Sequence, residues 1–143
     1  MAHPIFCFKR TYLALRKRMD EALQRFGLTA AQFDVLQYLF QEDGLEHRVL
    51  QERLMIASPT LTAIIDGMID HGLIERRVSE SDARVKQLFL TSKTWELQAQ
   101  LHALGVQFEA SIFRGFSPTE AALFLDWMDR VAKNIEQQPL PPP

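Results

Sequence analysis

The chain of 143 residues is 47% hydrophobic and 24% charged, a balance that suits one globular domain whose core is closed within the chain or across a dimer. Sixteen basic against eighteen acidic residues leave a formal net charge of -2, so any attraction to a polyanion must be local. One cysteine excludes an internal disulfide, and the absence of a bilayer-length apolar run or an export-type h-region in MAHPIFCFKR makes cytoplasm the expected compartment, with no membrane partner.

From Ile5 to Phe26 the apolar residues Ile5, Phe8, Tyr12, Leu15, Met19, Ala22 and Phe26 step alternately by three and four, a heptad seam that predicts a helix packed on another helix. Lys9, Arg10, Arg16, Lys17, Arg18 and Arg25 are spread over the remaining surface and read as a solvated face. In GLTAAQFDVLQYLF, Thr29 and Gln32 have the spacing of a capping box and Leu28 that of a staple onto Phe33, so a second helix starts there. Phe33, Leu36, Leu39 and Phe40 are its expected core stripe, and QEDG ends it at Gly44. A short helix follows within EHRVLQERLMI, with Leu50 and Leu54 one turn apart.

SPTLTAIIDGMIDHG, Ser58 to Gly72, is a helix with both ends marked: Ser58 is the expected N-cap, Pro59 suits the first helical position, and Gly72 suits the left-handed C-cap. Leu61, Ile64, Ile65, Met68 and Ile69 form its core face, which leaves Thr62, Ala63, Asp66, Gly67 and Asp70 facing outward. The period then changes. LIERRV and VKQLFLT, on either side of SESDAR, read as two antiparallel strands joined by a charged, projecting loop.

A long helix is expected from about Ser92, with Thr94, Leu97, Leu101, Leu104 and Phe108 at heptad steps, up to FRGF around Gly115. SPTE at Ser117 to Glu120 is a second capping box, opening a helix with the stripe Phe124, Trp127, Met128, Val131 and Ile135. The tail QQPLPPP cannot continue a helix and reads as a Pro-rich flexible end over 137–143.

The fold class is therefore mostly α with a small β-hairpin wing. Helix, short helix, capped helix and charged hairpin follow the order of a winged helix-turn-helix, over about 28–91 of a single domain spanning 1–138. The outer helices, about 5–26 and 92–136, have seams to spare. Paired between two copies they make a homodimer whose two reading heads lie roughly 34 Å apart, one DNA turn.

GLTAAQFDVLQYLF, LQERL, SPTLTAIIDGMIDHGLIERR and DARVKQLFLT together resemble the multiple antibiotic resistance regulator (MarR) family of dimeric winged helix-turn-helix transcription factors, in register from Leu28 to Thr91. The resemblance implies a homodimer on an inverted-repeat operator in double-stranded DNA, repressing until a small molecule or oxidant releases it. By position it places Ser58, Pro59, Thr60, Thr62 and Ala63 in or against the major groove and Arg84 at the wing. Arg76, Arg77 and Lys86 match the flanking wing-strand cations that meet phosphates.

Three departures stand out. Ala63 occupies a position often basic in relatives, Gln51 replaces a small residue, and Thr94 replaces a glycine. No Lys or Arg lies between Arg53 and Arg76, so the helix from Ser58 offers no bidentate arginine to guanine. Its N-terminal N–H groups and the methyls and hydroxyls of Thr60, Thr62 and Ala63 can still approach phosphates and bases, while Asp66 and Asp70 lie farther along and away from phosphates. Affinity then rests on the wing and on DNA shape.

Arg84 has two readings, a loop arginine paired with Asp82 or Glu80 and a wing-tip cation on DNA; its place at the tip favours the second. Cys7, within FCF, sits where the organic-hydroperoxide branch of the family places its sensing thiol, but the tyrosines of that branch are not matched and the flanking phenylalanines predict burial, so it is a candidate redox residue only. His3, His47, His71 and His102 are dispersed and show no metal-site spacing; no metal or cofactor is expected. Trp95, Phe108, Phe113 and Trp127 are candidates to line a site for a small aromatic effector, although aromatics at helical spacing are core more often. No phosphate loop, nucleophile motif or acid-base pair marks an enzyme, and no catalytic residue is assigned. The rival to a DNA-binding regulator is a winged-helix protein that has lost operator binding and serves as a protein-interaction or dimerisation module.

Overall fold

The computed structural model describes residues 3–139. Its helices are α1 (Pro4–Leu23, continued by a 3-10 turn over Gln24–Phe26), α2 (Ala30–Gln41), α3 (His47–Leu54), α4 (Ser58–Asp70), α5 (Ser92–Trp95), α6 (Gln98–Ile112) and α7 (Pro118–Gln137). Its strands are β1 (Leu45–Glu46), β2 (Ile74–Val78) and β3 (Lys86–Leu90). The chain divides into two compact units, one ending at Leu104 and one beginning at Gly105.

In the first unit, α2 starts as its sequence predicts. Thr29 accepts from the Gln32 N–H at 3.2 Å, and the Gln32 side chain accepts from the Thr29 N–H at 3.1 Å. Polar contacts tie α1 to this start: Asp20 accepts from the Ala30 N–H at 2.6 Å, and Arg16 pairs with Asp34 at 2.6 Å. Arg16 thus leaves the solvated face assigned to it, because α2 brings a carboxylate within its reach.

The hairpin of β2 and β3 has the register Ile74 to Leu90 through Val78 to Lys86. A third strand, β1, pairs on the far side of β3, giving the order β1-β3-β2. Two residues are too short to show alternation, so β1 carries no signal in the sequence. Gly44 precedes it at φ 82°, donates to the Leu88 carbonyl at 2.9 Å, and lies so close to Phe89 that a Cβ would meet the ring at 2.8 Å. Any other residue there would have to displace the Phe89 ring and hold a strained positive φ.

The core gathers Leu23 of α1, Phe33, Val35, Leu36 and Leu39 of α2, Leu50 of α3, Leu61, Ile65 and Met68 of α4, Ile74, Leu88 and Leu90 of the sheet, and Leu101 and Leu104 of α6. Each such aliphatic side chain contributes roughly 1.5–3 kcal/mol by leaving water. Two corrections follow for the chain after Ser92. The expected continuous helix is broken, because Leu97 donates to Thr94 three residues back at 3.0 Å, before α6 begins. Thr94, Leu101 and Leu104, read as part of a seam for a partner helix, are buried within their own unit.

On α1, by contrast, the first half of the seam is exposed among the described residues: Ile5 is 68% exposed and Tyr12 60%, and Phe6 beside them is 70% exposed. In the second unit α7 opens on its predicted capping box. Ser117 accepts from the Glu120 N–H at 3.2 Å, and Glu120 accepts from the Ser117 N–H at 2.7 Å. The α7 stripe is uncovered along much of its length, with Trp127 53% exposed. α7 ends at Gln137, one residue into the expected tail, whose 140–143 portion lies outside the described residues.

Candidate nucleic-acid interface

The candidate interface consists of the α3-α4 turn, the outer face of α4 and the β2-β3 wing. α3 ends at Met55, which holds the left-handed conformation at φ 53° with its side chain 85% exposed. α4 begins one residue earlier than its sequence suggests. An N-cap needs extended backbone, and Ala57 has it (φ -68°, ψ 145°); Ser58 is already helical and, in place of capping, sets its hydroxyl 3.4 Å from the His47 Nε2. Pro59 occupies the first turn as expected.

The far end of α4 closes as a paired turn. Gly72, at φ 69°, donates to the Ile69 carbonyl and Leu73 to the Met68 carbonyl, both at 2.9 Å. This junction aims the strand that follows. Leu61, Ile65 and Met68 are buried, so Ser58, Pro59, Thr60, Thr62, Ala63, Asp66 and Asp70 stand exposed on the other side. Gly67, expected on the same side, is half-buried.

The wing cations are not equivalent. Arg76 pairs with Asp66 of α4 at 3.1 Å. Arg77 pairs with Glu75 and stacks over the Phe89 ring at 4.2 Å from its centroid. At the tip, Asp82 accepts from the backbone N–H of Arg84 at 2.9 Å, and Val85 donates to the Asp82 carbonyl at 3.0 Å. Asp82 therefore shapes the loop; among the described residues the Arg84 guanidinium and the Lys86 ammonium make no ion pair, and both are exposed. The Arg76–Asp66 pair also sets a guanidinium beside the outer face of α4, which has no Lys or Arg of its own.

Elsewhere the remaining candidates are scattered. Cys7 is exposed, against the expected burial, because the neighbouring Phe6 and Phe8 of α1 are themselves exposed. Trp95 meets Phe40 edge-on at 5.6 Å in the first unit, and Phe113 meets Phe124 at 6.0 Å in the second. Among the described residues no group of three or more His, Cys, Asp or Glu side chains is placed to hold a metal ion. No helix among them is long and apolar enough to cross a membrane.

A helix pair followed by a capped helix and a three-stranded sheet with a cationic tip is the architecture of a winged helix-turn-helix protein. The MarR family model matches residues 28–86. Over 131 residues the chain is 24% identical to the HTH-type transcriptional regulator MhqR of Bacillus subtilis (strain 168), covering 90% of this chain and 88% of that protein. Its fold is similar to that of the S. aureus MepR-DNA complex, with a TM-score of 0.87, 21% identity and coverage of 94% of this chain and 99% of that one. A mutant MarR from E. coli complexed with operator DNA is similar at a TM-score of 0.81 and 21% identity, over 87% of this chain and 90% of that one. Residues 28–86 thus resemble the MarR family, and the fold as a whole is similar to that of winged-helix proteins seen on DNA.

Proposed function

We propose that this protein is a DNA-binding transcriptional regulator that acts as a homodimer on an inverted-repeat operator and represses until a small molecule or an oxidant releases it. The observation that carries the reading is Arg84, exposed at the wing tip and without an ion pair among the described residues, together with the exposed Ser58, Pro59 and Thr60 at the start of α4. Two relatives of the same fold, MepR and MarR, are seen on DNA. Ser58, Pro59, Thr60, Thr62 and Ala63 then face the major groove, where helix N–H groups, hydroxyls and methyls meet phosphates and bases. Arg84 and Lys86 supply the cations that displace counterions; Arg77, committed to Glu75 and Phe89, supports the wing. The dimer is supported by large apolar side chains left exposed on α1 (Ile5, Phe6, Tyr12, Leu13) and on α7 (Leu125, Trp127, Ile135). Cys7, exposed on α1, is the thiol an oxidant would reach, and a small aromatic effector is the other candidate signal.

Gel shift of the purified protein on fragments of its own upstream region, over a salt series, tests the reading. A specific site with steep salt dependence is expected. A chain that sediments as a monomer, or binds no duplex at low salt, overturns it and favours the interaction-module alternative.

A further inference from the structure

The cation-free face of α4 is not without a guanidinium. Arg76 lies two residues beyond the buried Ile74 and so shares its side of β2, whereas Arg77 points to the other side, where it stacks on Phe89. From that side Arg76 reaches Asp66, ten residues earlier in the chain, with Nη2 donating to Oδ1 at 3.1 Å. Asp66 follows Thr62 by four residues and Ala63 by three, so it stands on the same face of the helix. The head of Arg76 therefore sits beside the third turn of α4, one turn beyond Thr62 on the face that the proposed function sets in the major groove. Its side chain is 34% exposed against 56% for Asp66, partly enclosed and held in place.

The chemistry of that arrangement is directional. A guanidinium has five N–H donors in a fixed fork, and among the described residues this one makes no other side-chain hydrogen bond. The free edge can offer two parallel N–H groups, which match the O6 and N7 acceptors of guanine in the major groove. A phosphate is the poorer partner. Asp66 cancels much of the cation's charge and would itself be brought up against the phosphate, whereas a base edge carries no formal charge and does not repel the pair.

We infer that Arg76, oriented by Asp66, reads a guanine in each half-site, so that β2 provides the base-reading arginine α4 lacks; Asp66 is the positioning residue. This rests on the DNA-binding reading above. The test is selection from a randomised duplex pool with the full-length protein and with Arg76→Ala, Arg76→Lys and Asp66→Asn, followed by affinities for the selected site and its single-base changes. The wild type is expected to select a guanine whose replacement by adenine or 7-deazaguanine weakens binding about tenfold or more, while Arg76→Ala discriminates by less than about twofold there and keeps its other preferences. Arg76→Lys retains charge and length and is expected to lose that preference, and Asp66→Asn to weaken it. A wild-type site with no such guanine, or an Arg76→Lys protein that still prefers it, overturns the inference; so does uniform weakening on every sequence by Arg76→Ala, which marks a brace or a phosphate contact. Failure of the wild type to enrich any duplex is a separate result, which removes the proposed function and this inference with it.

Discussion

Thr94 donates its hydroxyl to the carbonyl oxygen of Leu73 at 2.6 Å across 21 residues, in a fully buried setting. The same oxygen accepts from the Thr91 N–H at 3.2 Å, while the Thr91 hydroxyl donates to the neighbouring Gly72 carbonyl at 2.7 Å, so the turn after α4 and the start of α5 meet at one atom. The Thr94 side chain pins the two together. Thr94→Val keeps the shape and removes one of two donors; it is expected to cost about 1 kcal/mol in denaturant unfolding, because the carbonyl still accepts from the Thr91 N–H. A loss of several kcal/mol would show that Thr91 does not cover for it.

Arg84 and Arg77 lie on one wing but differ in commitment. Arg84→Ala should weaken binding to all duplexes and reduce the slope of log affinity against log salt by about one, as expected when a single phosphate cation is lost. Arg77→Ala should leave the slope nearly unchanged and lower stability instead, by about 0.5–1 kcal/mol, through loss of its stack on Phe89. Equal changes in slope for the two variants would contradict the assignment.

Met55 holds a backbone conformation that disfavours any side chain by roughly 1–2 kcal/mol. Its side chain is almost entirely in solvent, so little packing offsets the strain. Met55→Gly is expected to raise stability by about 0.5–1 kcal/mol, part of the relief being lost to the greater freedom of glycine in the unfolded chain. A lower denaturation midpoint in the glycine variant would mean that the exposed thioether packs on something.

Two glycines with left-handed backbone separate strain from space. At Gly72 a Cβ would meet nothing within 4 Å, so Gly72→Ala is expected to cost about 1–2 kcal/mol for the backbone alone. At Gly44 the same Cβ would also strike Phe89 at 2.8 Å, adding an overpacking cost of about 1–3 kcal/mol. Thermal unfolding of the two variants checks the order, and a Gly44→Ala protein as stable as Gly72→Ala would show that Phe89 swings away freely.

The α7 cap carries a pH dependence with a definite sign. Hydrogen bonds from Ser117, first from its backbone N–H and then from its hydroxyl, hold the Glu120 carboxyl below its ordinary value of 4.5, against a lesser opposing effect of desolvation. A carboxyl lowered on folding stabilises the folded state fully above that ordinary value and loses the contribution as pH falls through the folded one. The protection factor of the amides in the first turn of α7, taken relative to the intrinsic exchange rate at each pH, should therefore fall in acid, and Glu120→Gln should abolish the change. Protection that does not vary with pH in the parent protein would contradict this.

Much of the architecture was legible in the residues. Thr29 with Gln32, Ser117 with Glu120, and Gly72 after Asp70 mark helix ends through contacts that span a few residues, and the shift from a period of 3.6 to one of two around Leu73 marks the wing. Ser58 misled because a serine before proline resembles a cap whether or not its own backbone is extended. Buried Thr94, Leu101 and Leu104 misled for a different reason: a heptad seam specifies an apolar neighbour without saying which segment provides it.

The order of elements and the position of the wing were determined by the sequence alone, since caps and periodicity act over one or two turns of chain. Tertiary structure decided the partners: Arg16 with Asp34, Leu45 with Leu88, Leu73 with Thr94, and Arg76 with Asp66. Ionic and hydroxyl groups act over only a few ångströms and are indifferent to sequence separation, so which of them meet depends on how the core brings distant segments together. For that reason a helix without a cation of its own acquires one only when the sheet folds against it.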